Sequence, residues 1–328
     1  MNGSNEKSGE PVHGAAAFWD RELHQPTHNS WMENPEVRTY INGSLGGRWP
    51  LGWLQHEYPG IRFRRALSIG CGSGALERDL ILRGLCDRVD AFDGSIVSIF
   101  AARASAKSEG MQDRLRYFVA DFNFLRFMDV DVKYDCIFFH QSLHHVAKLE
   151  RLFRRLLPIL SKGGMLYLDE YFGPSRADWN ERLIAELRTV YDDLPPDARL
   201  HDELPLPIQM DDPSEAIRSG EILTQLRIGF EIERMEGYGG NVISVLYPTT
   251  NWQAAPPSLL AKLINLDQQF ARKDGPYYAI IVARPKRGVK RLLGWARYYF
   301  APKWQILKEE MRRRFLRTPS AAPPRSSP

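Results

Sequence analysis

Cysteine is scarce in this chain. Three residues of 328, Cys71, Cys86 and Cys136, are scattered and odd in number. They show no disulfide framework and no metal-ligand spacing, so no metal is expected and a reducing cytoplasm is. No apolar run is long enough to span a bilayer. The opening MNGSNEKSGEPVHG lacks an apolar signal core and is expected to be disordered over residues 1–14. No internal repeat is evident. Hydrophobic content of 43% and charged content of 26% are ordinary, which excludes global disorder. The length suits one large α/β domain with additions, or two small ones.

What the chain does have is a glycine loop. RALSIGCGSGALERDL (Arg65–Leu80) reads as a short strand, a tight turn and a helix start. Gly70, Gly72 and Gly74 are spaced by two, and Cys71 between them reads as a small packing residue. Such a turn lets a ligand lie against bare backbone, with helix N–H groups aimed at it. A nucleotide-like cofactor on a doubly wound sheet is expected. The loop fits G-x-G-x-G and, with Ala75, also the dinucleotide pattern G-x-G-x-x-G/A, so the glycines leave the cofactor open.

The following segments narrow it. RVDAFDGS (Arg88–Ser95) is a second strand ending at Asp93 and Gly94. A carboxylate there can accept hydrogen bonds from both ribose hydroxyls, which suits either kind of adenosine ligand. RYFVADFNFL (Arg116–Leu125) reads as a third strand, then Asp121 and Phe122. The acid can accept an adenine amino group while an aromatic covers the ring. YDCIFFHQSLHHV and GGMLYLDEY supply a fourth and a fifth strand, with the helix LERLFRRLLPIL between them.

From Leu67 to Tyr171 this ordered set resembles the class I S-adenosylmethionine-dependent methyltransferases. The resemblance implies S-adenosyl-L-methionine as cofactor, held by Gly70, Cys71, Gly72, Gly74, Asp93, Gly94, Asp121 and Phe122, with His140 near its amino-acid end. It implies an α/β fold, a Rossmann-like sheet of seven strands. To this the sequence adds a helical N-terminal segment over 15–61, insertions at 172–212 and 241–274 after strands five and six, and a C-terminal tail. The domain proper runs from 62 to 285. HQSLHHV, LDEYFGPSR, DDPSEAIRSGEI and GYGGN further resemble a bacterial branch associated with sugar or polysaccharide methylation. An O-methyltransferase acting on a saccharide or related polar acceptor is the leading expectation. A catalytically silent cofactor-binding partner protein and an NAD(P)-dependent oxidoreductase are the alternatives. Ala-Asp-Phe after the third strand argues against the oxidoreductase. His-Gln-Ser-Leu stands where base-modifying enzymes carry Asn-Pro-Pro-Tyr, which counts against a nucleic-acid substrate.

A hydroxyl acceptor must lose its proton. Candidate bases are His140, His144 and His145 after the fourth strand, and Asp169 or Glu170 after the fifth. Any of these histidines can equally be a capping or packing residue. Glu215, Arg218 and Glu221, spaced for one face of a helix over Ser214–Leu226, suggest an ion-pair network or an acceptor-pocket lining. Tyr238 and Asn241, among glycines, suggest a turn near the site.

The tail differs in kind. Residues 284–317 hold twelve basic and two acidic side chains, although the whole chain carries only +4. The body is therefore acidic. Trp295, Tyr298, Tyr299, Phe300 and Trp304 interleave with the charge. Over 286–328 this reads as a basic amphipathic helical segment, suited either to an anionic membrane surface or to docking on the acidic body. A cytoplasmic protein, peripheral on the inner membrane face in the first case, is the corresponding location. Oligomeric state is left open.

Overall fold

The computed structural model describes residues 16, 18, 20, 30–121, 131–179, 181–205, 207 and 212–288. Phe122, most of residues 1–29 and the tail beyond 288 lie outside them. Two short helices, α1 (Pro35–Ser44) and α2 (Pro50–Glu57), precede the sheet. Each begins on a proline, where a missing N–H costs nothing. Asn34 caps α1 by accepting from Glu36 N and Val37 N.

The first half alternates strand and helix. It runs β1 (Phe63–Ile69), α3 (Ala75–Leu82), β2 (Cys86–Asp93), α4 (Ile96–Ser108), β3 (Leu115–Val119), β4 (Tyr134–His140), α5 (Leu149–Leu156) and β5 (Leu160–Tyr171). Beyond it come α6 (Glu181–Asp192), α7 (Ile222–Gly229), β6 (Phe230–Gly239), α8 (Ile243–Leu246), α9 (Leu259–Asp274) and β7 (Tyr278–Pro285). The strands form one sheet in the order β3-β2-β1-β4-β5-β7-β6. β7 alone runs antiparallel to its neighbours β5 and β6. This is the Rossmann-like sheet of the class I methyltransferases. The chain reverses its winding between β1 and β4, so a crevice opens at their carboxyl ends.

Strand periodicity divides the core. Ala66, Phe138, Tyr167, Ile280 and Val282 face one way, into a cluster with Val37, Ile41, Trp53 and Leu54 of the N-terminal helices. Leu67, Ile137, Phe139, Leu166, Leu168 and Ile281 face the other way, onto Leu149, Leu152 and Phe153 of α5 and Leu226 of α7. A third cluster joins the two insertions, with Leu187 and Tyr191 of α6 packed near Leu246 of α8 and Leu259 and Leu263 of α9.

One expected element differs. The helix expected over Ser214–Leu226 begins only at Ile222, after a 3-10 turn at Ser219–Glu221. Asp212 folds the chain back first, its Oδ1 accepting from Ser214 N (2.9 Å) and Ser214 Oγ (2.7 Å). Ala216 then takes a left-handed φ of 48°. Glu215 is thereby separated from Arg218 and Glu221, which pair with each other; Arg218 also grips Glu150. Among the described residues no helix is long and apolar enough to cross a membrane.

Candidate active site

A cavity of about 360 Å³ opens at the carboxyl ends of β1, β2 and β4. Its floor is the glycine loop. Gly70 N and Cys71 N donate to Phe92 O (2.9 and 3.1 Å), tying the loop to β2. A Cβ on Gly70 would stand 2.4 Å from that of Ser142, so β1 and β4 approach there as only glycine permits. Gly72, at φ 50°, has nothing within 4 Å of a built Cβ. The middle of the loop is thus open backbone for a ligand.

Asp93 ends β2 and orders the loop from the other side. Its Oδ2 accepts from Gly72 N and its Oδ1 from Ser95 N, both at 2.8 Å. Burial pushes the carboxyl up, against the downward pull of these amides. Ser95 caps α4 through Ser98 N (2.9 Å), and Asp20 accepts from Ser95 Oγ and from Val97 N. Burial holds the Cys71 thiol well above its ordinary range, so it is a protonated wall group.

The other wall is the turn after β4. His140 ends the strand, with Nδ1 3.0 Å from Asp169 Oδ2 on β5. Tyr238 Oη donates to Asp169 Oδ1 (2.7 Å), and Gln141 Nε2 donates to Tyr238 Oη (3.2 Å). Gln141 sits at φ 52°, a strained conformation for a residue with a side chain, and its N–H donates to Asp169 O (2.9 Å). Burial lowers the His140 pKa, but the Asp169 hydrogen bond and charge, with Glu170 and Glu77, raise it overall.

Behind this wall, Glu170 is fully buried. Its Oε1 accepts from Ser142 N and Leu143 N (both 2.5 Å), and its Oε2 lies 2.8 Å from His144 Nδ1. Burial favours its neutral form, yet the His144 charge and these donors hold the carboxyl below its usual range. Glu170 is therefore an anchor for the histidine turn. Burial lowers His144, but Glu215 and Glu170 raise it, to about 9 overall; burial and the His144 charge push His145 down.

Of the residues expected from sequence, Gly70, Cys71, Gly72, Asp93, Gly94, Asp121, His140 and His145 line one cavity. Gly74 lies outside that wall, against the Tyr117 ring. His144 and Glu170 stand behind it, and Phe122 is outside the described residues. Sequence reasoning missed Glu77. It lies in the first turn of α3, reads as an ordinary helix residue, and yet lines the cavity fully buried. Both its oxygens lack a well-formed hydrogen bond among the described residues. Burial lifts its pKa to about 7, against smaller pulls from Ser68 and His140.

Residues 66–164 match the methyltransferase domain family. No curated protein matches significantly. Among solved structures, geranyl diphosphate C-methyltransferase from Streptomyces coelicolor shares 15% identity at a TM-score of 0.49, over 84% of this chain and 100% of that one. An S-adenosylmethionine-dependent methyltransferase from Mesorhizobium loti shares 19% at 0.43, over 74% and 100%. The [4+2]-cyclase SpnF shares 18% at 0.45, over 77% and 94%. Likenesses at this level carry no substrate or reaction to this chain.

The cofactor of the domain is S-adenosylmethionine. The cavity suits it in two respects. Asp93 stands where ribose hydroxyls can be held, beside exposed backbone at Gly72. The fully buried Glu77 carboxyl in the cavity wall offers a partner for an ammonium group.

Proposed function

We propose that the protein is an S-adenosylmethionine-dependent methyltransferase that methylates a hydroxyl of a sugar or related polar acceptor. The observation that carries this reading is the His140–Asp169 pair in the wall of the cavity that also holds the glycine loop and Asp93. Bound S-adenosylmethionine supplies a methyl group already activated by positive sulfur. What remains for the chain is to align an acceptor, exclude water and remove one proton. Asp169 and Tyr238 fix the His140 ring, and His140 Nε2 is the atom to receive the hydroxyl proton. The polar wall formed by His140, Gln141, His145 and Ser214 supports a polar acceptor, as does the resemblance of the flanking segments to sugar-modifying enzymes. The basic segment beyond Gly288 belongs to the same proposal, as an attachment to an anionic membrane surface.

Calorimetry with S-adenosylmethionine and with NADH tests the cofactor. Product mass spectrometry against a carbohydrate panel tests the acceptor. Binding of S-adenosylmethionine and a saccharide product heavier by one methylene are expected. NADH binding without S-adenosylmethionine binding would reject the reading. Cofactor binding with no transfer to any acceptor would point to the silent partner protein instead.

A further inference from the structure

Two imidazoles and one carboxylate converge beside the cofactor cavity. His144 Nε2 lies 3.8 Å and His145 Nε2 3.6 Å from the same atom, Glu215 Oε2. The three ligand atoms all fall within 4.8 Å of one another. Bonds of about 2.0–2.1 Å in a tetrahedral site place ligand atoms about 3.3 Å apart. The two sides that end on Glu215 are about 0.3–0.5 Å longer than this. Both separations to Glu215 are too long for a hydrogen bond, so a proton bridges them poorly.

The opposite ring nitrogens are already committed. His144 Nδ1 is held by Glu170 Oε2 at 2.8 Å. His145 Nδ1 is held by Ser214 Oγ at 2.9 Å, and Ser214 Oγ in turn donates to Asp212 Oδ1. Glu170 accepts from two backbone amides as well, which marks it as an ionised acceptor. Both Nδ1 atoms are therefore placed as donors and both Nε2 atoms face the Glu215 side; His144 is protonated in the empty site, so an ion would displace the proton on its Nε2. Locking one ring nitrogen so that the other can ligate is how metal-binding histidines are positioned.

Charge points the same way. Glu170, Asp212 and Glu215 surround two imidazoles, and Asp212 Oδ2 is buried without a hydrogen-bond partner among the described residues. Arg176, the nearby guanidinium, donates to the Asp212 backbone carbonyl (2.7 Å). Buried carboxylates need compensating charge. The left-handed turn at Ala216 and the bond from Ile217 N to His144 O hold Glu215 over the histidines.

We propose that His144, His145 and Glu215 bind one divalent transition-metal ion, with Zn2+ the best match to two imidazoles and a carboxylate. His145 and Ser214 belong to the cavity wall, and Glu215 is only partly buried, so positions remain for an outside ligand. A catalytic use of the ion would rest on the methyl-transfer reading above: held by His144, His145 and Glu215, it would supply Lewis-acid polarisation to an acceptor oxygen that reached it from the His145 side of the cavity. The sequence concealed the site, because two adjacent histidines and a glutamate seventy residues away show no ligand spacing.

The test is titration of the metal-stripped full-length protein with Zn2+ by calorimetry, and with Co2+ by visible absorption. One equivalent should bind, and Co2+ should give the intense bands of a low-coordinate site. Glu215→Gln should weaken binding at least 10-fold, and Ser214→Ala about 10- to 100-fold through the His145 ring. Asp93→Ala should leave metal binding unchanged. Absence of Zn2+ and Co2+ binding to a chain that still binds S-adenosylmethionine would overturn the site. So would equal affinity in the folded Glu215→Gln protein. Metal binding of the expected pattern without methyl transfer would leave the site standing and remove only the catalytic reading.

Discussion

His140 Nδ1 and Asp169 Oδ2 stand 3.0 Å apart across neighbouring strands that pair in register, His140 opposite Asp169. The sheet itself therefore sets the orientation of the ring. Tyr238, from β6, fixes the second carboxylate oxygen. Three strands thus converge on one imidazole at the mouth of the cavity.

The first prediction concerns pH. Asp169, Glu170 and Glu77 raise the His140 pKa above its ordinary 6.5, against burial. A base works when neutral, so kcat should fall as pH drops through a midpoint above 6.5. Asp169→Asn removes the nearest charge and should move that midpoint to lower pH. His140→Ala should cost about 10²- to 10⁴-fold in kcat, with a much smaller effect on cofactor Kd. Steady-state rates over pH 5–9 check this. An unmoved pH limb in Asp169→Asn would assign the proton transfer elsewhere.

The second concerns Glu77. Its folded pKa of about 7 lies above the ordinary 4.5. The folded state thus holds the proton more tightly than the unfolded chain does. Stability on this account is greatest below pH 4.5, declines as pH rises to about 7, and carries the full cost beyond it. Glu77→Gln should therefore stabilise the cofactor-free protein at pH 8, by about 1–3 kcal/mol. The difference should vanish near pH 4.5. The same substitution should weaken S-adenosylmethionine, because an ammonium group loses its partner. Thermal midpoints with and without cofactor read both effects, and a variant less stable at pH 8 would refute the first.

The third concerns Asp93. Its two oxygens already order Gly72 and Ser95, and two ribose hydroxyls would share them. Asp93→Ala should weaken S-adenosylmethionine by about 1–3 kcal/mol, roughly 5- to 150-fold in Kd. Calorimetry checks it, and unchanged affinity would place the ribose elsewhere.

Legibility in the sequence followed distance along the chain. The glycine loop and Asp93 were readable because each sits at a strand end with a local pattern around it. The first five strands could be located from apolar runs and their flanking turns. The site's polar connections could not. Tyr238 meets Asp169 across 69 positions, and register sets that contact, not composition. Glu215 was assigned to a helix face because its spacing from Arg218 and Glu221 is helical. The Asp212 turn and the left-handed Ala216 override that spacing and direct Glu215 toward the histidines. Glu77 gave no signal at all, since a glutamate in the first turn of a helix is ordinarily a solvated residue favoured by the helix dipole.

The last prediction concerns the basic segment. Twelve basic against two acidic side chains over 284–317, interleaved with tryptophan and tyrosine, should bind vesicles rich in anionic lipid. Binding should weaken as salt rises from about 0.05 to 0.5 M, because surface attraction is screened. Some should persist if Trp295 and Trp304 enter the interface, and their alanine variants should then lose that residue of binding. Lys286 N donates to Gly229 O (2.9 Å), one residue past the end of β7. Truncation after Gly288 keeps that bond and the whole sheet. The truncated protein should abandon vesicles while retaining S-adenosylmethionine affinity. Sedimentation with vesicles and calorimetry read the two properties separately. A full-length protein indifferent to anionic vesicles at low salt would reject the membrane role. A truncated protein that unfolds would instead show that the segment packs on the acidic body.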